Sequence, residues 1–189
     1  MRMSIALSAL LLAAPVAVQA QAADPAAARI SAYDDAVIGI AKQHMSLAQR
    51  ADRFEPVVQR YYDMPGIAAL VVGPAWSKAS AADKASAIKA LTRHSAVSLA
   101  RNFKSYDGTP FRVDPKVIDR SGRKVVKVTI GDTALLYLMR QTGGEWKIVD
   151  VVSGGVSQLA LQRADLASTI QKGGIPAMVK RLGQLDSVK

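Results

Sequence analysis

Between Phe111 and Val152 the chain holds four short runs of strand-forming residues separated only by tight turns. Strands joined this closely pair antiparallel, because a parallel pair needs a crossover of a dozen residues or more. Phe111 to Ile118 carries Phe111, Val113 and Val117 at alternating positions, and Asp119-Arg120-Ser121-Gly122 is a hairpin turn. Arg123 to Ile130 alternates Val126, Val128 and Ile130 with Lys124, Lys127 and Thr129, although Val125 breaks the pattern. Thr133 to Gln141 is the third run, and Thr142-Gly143-Gly144-Glu145 turns into the fourth, Trp146 to Val152. The third run constrains the fold most. Ala134, Leu136 and Leu138 point one way, while Leu135, Tyr137 and Met139 point the other. A sheet with one wet face alternates apolar with polar; this strand is apolar on both. Either helices cover both sides, or one side faces an apolar cavity that receives a ligand.

Helical patterns flank this block. From about Ser31, Tyr33, Val37, Ile40, His44 and Leu47 recur at helical spacing, and Pro56 permits a new helical start before Val57, Val58 and Tyr61. Asp63 caps a short helix that Gly73-Pro74 stops at Val72, with proline in its first turn. Ser80-Ala81-Ala82-Asp83 resembles a capping box and opens the longest helix, over about 81–104. After the strands, Gln158–Gln171 is helical, Gly173-Gly174 ends that helix, and Pro176 opens another to about Leu185. The expected class is α+β: a four-stranded antiparallel sheet with helices packed on it.

Residues 1–22 have the form of an export signal. Arg2 provides the positive start, Ile5 to Val18 are uncharged, and small residues allow cleavage after Ala20 or Ala22. That apolar run is short for a membrane span, which needs roughly 20 residues. Residues 23–30 read as a disordered linker rich in small residues, and 31–187 as one domain. The expected location is the periplasm. No cysteine is present, which excludes disulfides, thiolate metal sites and cysteine nucleophiles. The net charge is +10. Export argues against a nucleic-acid partner, and the cations are not interleaved with an aromatic platform. Anionic membrane surfaces or acidic proteins suit the charge better, as does simple solubility.

No catalytic constellation stands out. His44 and His94 each lie on an expected helix without a second histidine three or four residues away, so no zinc seed exists. His44 reads as a core-edge residue and His94 as a helix-surface one. Ser153-Gly154-Gly155-Val156-Ser157 lacks the Gly-x-Ser-x-Gly order of a nucleophile elbow and reads as a turn, with Ser157 capping the next helix. Asp34-Asp35 reads as negative charge in a first helical turn. Asp150, inside an apolar strand, accepts hydrogen bonds from the backbone or from Lys or Arg at the sheet rim, with Arg140 and Lys127 as conceivable donors. Neither a metal nor a cofactor is expected.

Trp146-Lys-Ile-Val-Asp150-Val-Val-Ser-Gly-Gly-Val156-Ser157, followed by Leu159, Arg163 and Gly174, resembles the carboxy-terminal signature of the MlaC-type (toluene-tolerance) family. Tyr62-Asp63-Met64, Leu70-Val-Val-Gly73-Pro-Ala-Trp76 and the Ser80-Ala-Ala-Asp83 helix start are similar to that family's features. Asn102-Phe-Lys-Ser-Tyr106-Asp-Gly-Thr-Pro-Phe111 and Val156-Ser-Gln-Leu-Ala160-Leu-Gln-Arg163-Ala-Asp165 most resemble its hopanoid-associated HpnM branch. The resemblance implies an NTF2-like fold and a periplasmic carrier of phospholipid or hopanoid between the two membranes. It also implies an inner-membrane lipid transporter complex and an outer-membrane partner. One departure is the very short hairpin at Gly131-Asp132, where the family often carries a longer loop.

Apolar lining alone can hold an acyl chain. The candidate lining is Leu136 and Leu138 with their neighbours Val126, Val128 and Ile148, together with Leu70, Trp76, Leu91, Leu99 and Phe103 on helices. A head group would sit near solvent, where Arg or Lys meets phosphate. Two other readings stay open: an NTF2-like enzyme using Asp150 with a pocket tyrosine, and a non-catalytic subunit whose apolar strand meets a partner in a membrane-lipid complex.

Overall fold

The computed structural model describes residues 23–187. The expected export signal at 1–22 lies outside the described residues. Four helices come first: α1 (Pro25–Ala41), α2 (Leu47–Tyr61), α3 (Met64–Val72) and α4 (Ala81–Asn102), with a 3-10 turn at Gly73–Lys78 between the last two. Strands β1 (Phe111–Val113), β2 (Ile118–Arg120), β3 (Arg123–Ile130), β4 (Thr133–Thr142), β5 (Glu145–Ser153) and β6 (Val156–Ser157) follow, and α5 (Gln158–Asp186) closes the chain. No helix among the described residues is long and apolar enough to cross a membrane.

Side-chain caps set most helix starts. Ser46 and Gln49 form a reciprocal capping box on α2, and Asp63, Ser80 and Ser157 each accept a bond from the first turn of α3, α4 and α5. Asp24 does the same for α1, so residues 23–30 are not the disordered linker expected above. Ala26, Ala27 and Ile30 are buried in the core, and that burial holds the small-residue stretch in place. The helical pattern through His44 and Leu47 is interrupted, because the Ser46 cap starts a new helix; His44 is exposed rather than at the core edge. Pro56 lies inside α2 instead of starting a helix. Phe54, Val58 and Tyr61 are buried around it and carry the helix through the missing hydrogen bond.

The sheet is antiparallel but has six strands rather than four. The expected first strand is split into β1 and β2, both paired with β3, because Asp114-Pro115 interrupts it. Proline has no N–H for the ladder. β6 is a two-residue addition on β5 that leads into the Ser157 cap. The Gly131-Asp132 turn places Val126 opposite Tyr137 and Val128 opposite Leu135. Val126, Val128, Tyr137, Met139 and Ile148 face the helices and are buried there with Tyr33, Phe54, Leu91 and Leu182.

Two consecutive residues tie helices to sheet. Tyr62 forms a parallel bridge with Ile148, and the Asp63 N–H donates to the Ile148 carbonyl at 2.9 Å. The Asp63 carboxylate, only 3 % exposed, caps Gly66 N–H at 3.1 Å, accepts from Thr142 Oγ1 at 3.1 Å and pairs with Arg140. Gly66 leaves the space that Arg140 occupies: a Cβ there would stand 2.1 Å from the guanidinium. The Gly66→Ala variant should therefore expel Arg140 and strand a buried carboxylate. Breaking a buried pair in this way costs about 3–5 kcal/mol, which urea denaturation should register against the parent protein. A change below ~1 kcal/mol would mean the ion pair does not hold the junction.

Candidate functional site: a cavity between sheet and helices

A cavity of about 350 Å³ lies between the inner face of the sheet, α4 and α5, toward the small end of the roughly 300–1,000 Å³ typical of ligand pockets. Leu135 and Tyr137 of β4 with Val149 and Val151 of β5 form the sheet wall. Leu99 of α4 and Phe103 at its end face them, and Leu159 and Leu166 of α5 close one side. α5 breaks at Gly173–Gly174, where Gly174 adopts φ +63° with extended ψ, a conformation reserved in practice for glycine. The break turns the chain back so that Leu182 and Leu185 complete the lining. A more open groove of about 460 Å³ lies between α3 and α5, at Val72, Pro74 and Ala164.

One end of the cavity is aromatic. Tyr33 packs edge-on against Tyr62 and Tyr137 with centroids 5.7 Å apart in each pair, and the Tyr33 and Tyr62 hydroxyls share a 3.0 Å hydrogen bond. Burial pushes the Tyr62 phenol up to about 12, and pushes Tyr33 and Tyr137 well above the usual tyrosine range. These hydroxyls stay neutral and serve as hydrogen-bonding groups. Beside them on α1, Asp34 is 4 % exposed and its two oxygens meet no donor among the described residues. It is mid-helix and buried, not in a first helical turn as expected. Desolvation first, and the neighbouring Asp35 second, push its carboxyl up to about 7.

Most of the remaining polar lining comes from the helices: Ser95 and Ser98 on α4, and Gln158, Gln162 and Asp165 on α5. His94, expected on an open helix surface, is half-buried and bonds Asp186 through Nδ1 at 2.7 Å, pinning the end of α5 to α4. Among the described residues, no lysine or arginine lines the cavity, so the cation expected to meet a phosphate is not part of this wall. Asp150 does line it, at a β-bulge opposite Leu138 and Met139. Its carboxylate accepts from Val151 N–H at 2.8 Å, Leu159 N–H at 3.0 Å and Ser157 Oγ at 2.6 Å. The donors are the backbone and a serine, not Lys or Arg: Arg140 is engaged by Asp63. Asp150 thus fastens the start of α5 to β5, which occupies the oxygens that acid–base chemistry would use.

The candidate residues separate into groups. Leu99 and Phe103 line the cavity. Leu91, Val126, Val128 and Ile148 are fully buried in the core behind it. Trp76 is half-buried in the 3-10 turn under Lys84, and Leu70 is 44 % exposed on α3. Leu136 and Leu138 face away, on the opposite side of the sheet from Val126 and Val128. The residues that sequence reading left out are Leu135 and Tyr137, whose side follows from the two-residue hairpin, and the lining from α5, which follows from no local pattern.

An antiparallel sheet packed with helices over an apolar cavity defines an α+β fold with room for a small apolar ligand. A family model described as MlaC protein matches residues 31–184, and the chain belongs to that family. No curated protein matches. Among solved structures, a phospholipid-binding protein from Ralstonia solanacearum, determined in complex with a phospholipid, is similar with a TM-score of 0.75 at 17 % identity; the match covers 87 % of this chain and 98 % of that one.

Asp34 makes stability depend on pH. Its carboxyl holds a proton in the folded state that the unfolded chain, at the ordinary value of 3.8, has already released. Folding is therefore favoured at low pH, and stability declines as pH rises from about 4 through about 7, by about 2–3 kcal/mol between pH 5 and pH 8. Asp34→Asn should remove that decline and be the more stable protein at pH 8. Urea titrations at the two pH values check this, and parallel curves for parent and variant would refute it.

Proposed function

We propose that the chain is a periplasmic lipid carrier that holds the apolar part of a phospholipid or hopanoid between β4–β5 and α4–α5 and carries it between the two membranes. The cavity supports this reading most directly, because most of its lining surface is apolar. Its volume accommodates on the order of a dozen methylene-sized groups, taking a water-sized share of about 30 Å³ each. At about 0.8 kcal/mol per buried CH₂, that is worth roughly 10 kcal/mol before ordering costs. Membership of the MlaC family and the lipid-bound relative support the same ligand class. Residues 1–22 act as the export signal, cleaved after Ala20 or Ala22. Transfer requires an inner-membrane transporter complex and an outer-membrane partner, and no catalytic step.

Both stretches that resemble the HpnM branch contribute to the wall: Phe103 from the first, and Gln158, Leu159, Leu161, Gln162 and Asp165 from the second. A cavity bordered by hydroxyls, amides and two carboxylates suits a hopanoid with a neutral or hydroxylated head at least as well as a phosphate.

Protein purified from a host that makes both lipid classes should carry one or both, visible by native mass spectrometry and by extraction. Leu99→Trp with Leu135→Trp should fill the cavity and reduce bound lipid at least tenfold while circular dichroism stays unchanged. Consistently empty parent protein, or lipid retained in full by the folded double variant, would overturn the proposal.

A further inference from the structure

The face of the sheet opposite the cavity has its own composition; the α2–α3 junction reaches only its β4–β5 end, where Arg140 meets Asp63 and Lys147 donates to the Arg60 carbonyl. The pairings set Ile118 beside Val125 and Val125 beside Leu138, an apolar row across β2, β3 and β4. The next row holds Lys127, Leu136 and Val152. None of these apolar side chains packs against the core, and Ile118 is 46 % exposed. On the other side of the apolar row, Arg120 stands opposite Arg123, Arg123 opposite Arg140, and Arg140 opposite Lys147.

Four cations in register across four strands are a cost to the sheet, since like charges directly opposite one another destabilise it. Two are neutralised within the chain: Arg140 by Asp63, and Lys147 by Glu145 at 2.8 Å. Arg120 and Arg123, exposed on either side of the Ser121-Gly122 hairpin tip, have no carboxylate partner among the described residues. Folding does not account for placing two unpaired arginines opposite each other at a tip. An anion supplied from outside would.

We infer that this face, centred on the β2–β3 hairpin, docks on an anionic lipid bilayer. Strands lie about 4.8 Å apart, so the arginine row and the apolar row form two parallel lines one pleat repeat apart. Such a surface lets Ile118, Val125 and Leu138 enter the interfacial region while Arg120 and Arg123 meet lipid phosphates, with Lys127 on the far side. The cavity lies against the other face of the sheet, so docking covers none of its lining. The inference rests on the lipid-carrier reading only in supplying a reason to visit membranes.

The test uses the mature chain and sedimentation with vesicles of phosphatidylglycerol mixed into phosphatidylcholine, against phosphatidylcholine alone. The parent should bind the anionic vesicles and release as salt is raised, since screening shortens to about 3 Å at 1 M ionic strength. Each cation near such a surface strengthens adsorption roughly fivefold, so Arg120→Glu with Arg123→Glu should weaken it by more than twentyfold. Ile118→Ser should weaken it at both salt levels. Arg123→Glu alone should also raise the melting temperature, because it relieves repulsion from both neighbours; a purely structural role for Arg123 predicts a fall. Equal binding to neutral and anionic vesicles, unchanged binding by the double variant, or a parent that binds no vesicle would each overturn the inference. So would a parent that sediments as a dimer in solution and loses dimerisation on the same substitutions. Bound lipid measured on the same preparations separates the two proposals: a docking-defective variant that keeps its lipid leaves the carrier reading intact, and an empty parent that still binds vesicles removes only that reading.

Discussion

The junction at Tyr62 and Asp63 determines how the helical half of the molecule meets the sheet. Backbone pairing with Ile148 fixes the position of the segment along β5. The Asp63 carboxylate then engages α3 through Gly66 and β4 through Arg140 and Thr142, so one residue fixes three elements, β5 through its backbone and the other two through its charge. Tyr62 extends the tie to α1 through its hydroxyl bond to Tyr33. A buried carboxylate is expensive unless fully paired, and this one is paired on each side. The cavity depends on that arrangement, because Tyr33, Tyr62 and Tyr137 are stacked where the three elements converge.

Two further polar anchors define the cavity's other boundary. Asp150 holds the start of α5 against β5, and His94 with Asp186 holds its end against α4. Between them the helix is broken at Gly173–Gly174, which allows one continuous segment to wrap two sides of the space. Hydrogen bonds at the ends and apolar side chains in between leave a volume that is bounded but unfilled. Asp34 is the exception: a buried acid without a donor, which the fold tolerates by keeping it protonated at moderate pH.

β4 is apolar on both faces for two different reasons. Leu135, Tyr137 and Met139 serve the cavity and core, while Leu136 and Leu138 lie on the opposite face, outside the core. Helices on both sides, the simpler reading of such a strand, is not what the molecule does. The cavity lies on the Leu135 and Tyr137 side of β4, not on the Leu136 and Leu138 side, and the hairpin dictates which is which. A two-residue turn at Gly131-Asp132 pairs Ile130 with Thr133, so Val126 and Val128 must share a face with Tyr137 and Leu135 and cannot share one with Leu136 and Leu138. The same counting exposes the arginine row, which is invisible when each strand is read alone.

The sequence by itself determined the α+β class, the antiparallel order of the strands, the caps at Asp63, Ser80 and Ser157, and the break at Gly173-Gly174. Each of these depends on residues close together in the chain: a tight turn, a side chain reaching its own first turn, a glycine free to take positive φ. Tertiary structure alone decided that residues 24–30 are ordered, that Asp34 is buried, that Asp63 rather than Asp150 holds Arg140, and that α5 supplies much of the cavity wall. Those outcomes depend on which distant surfaces meet, and the desolvation that sets burial, pKa and pairing exists only once they have met.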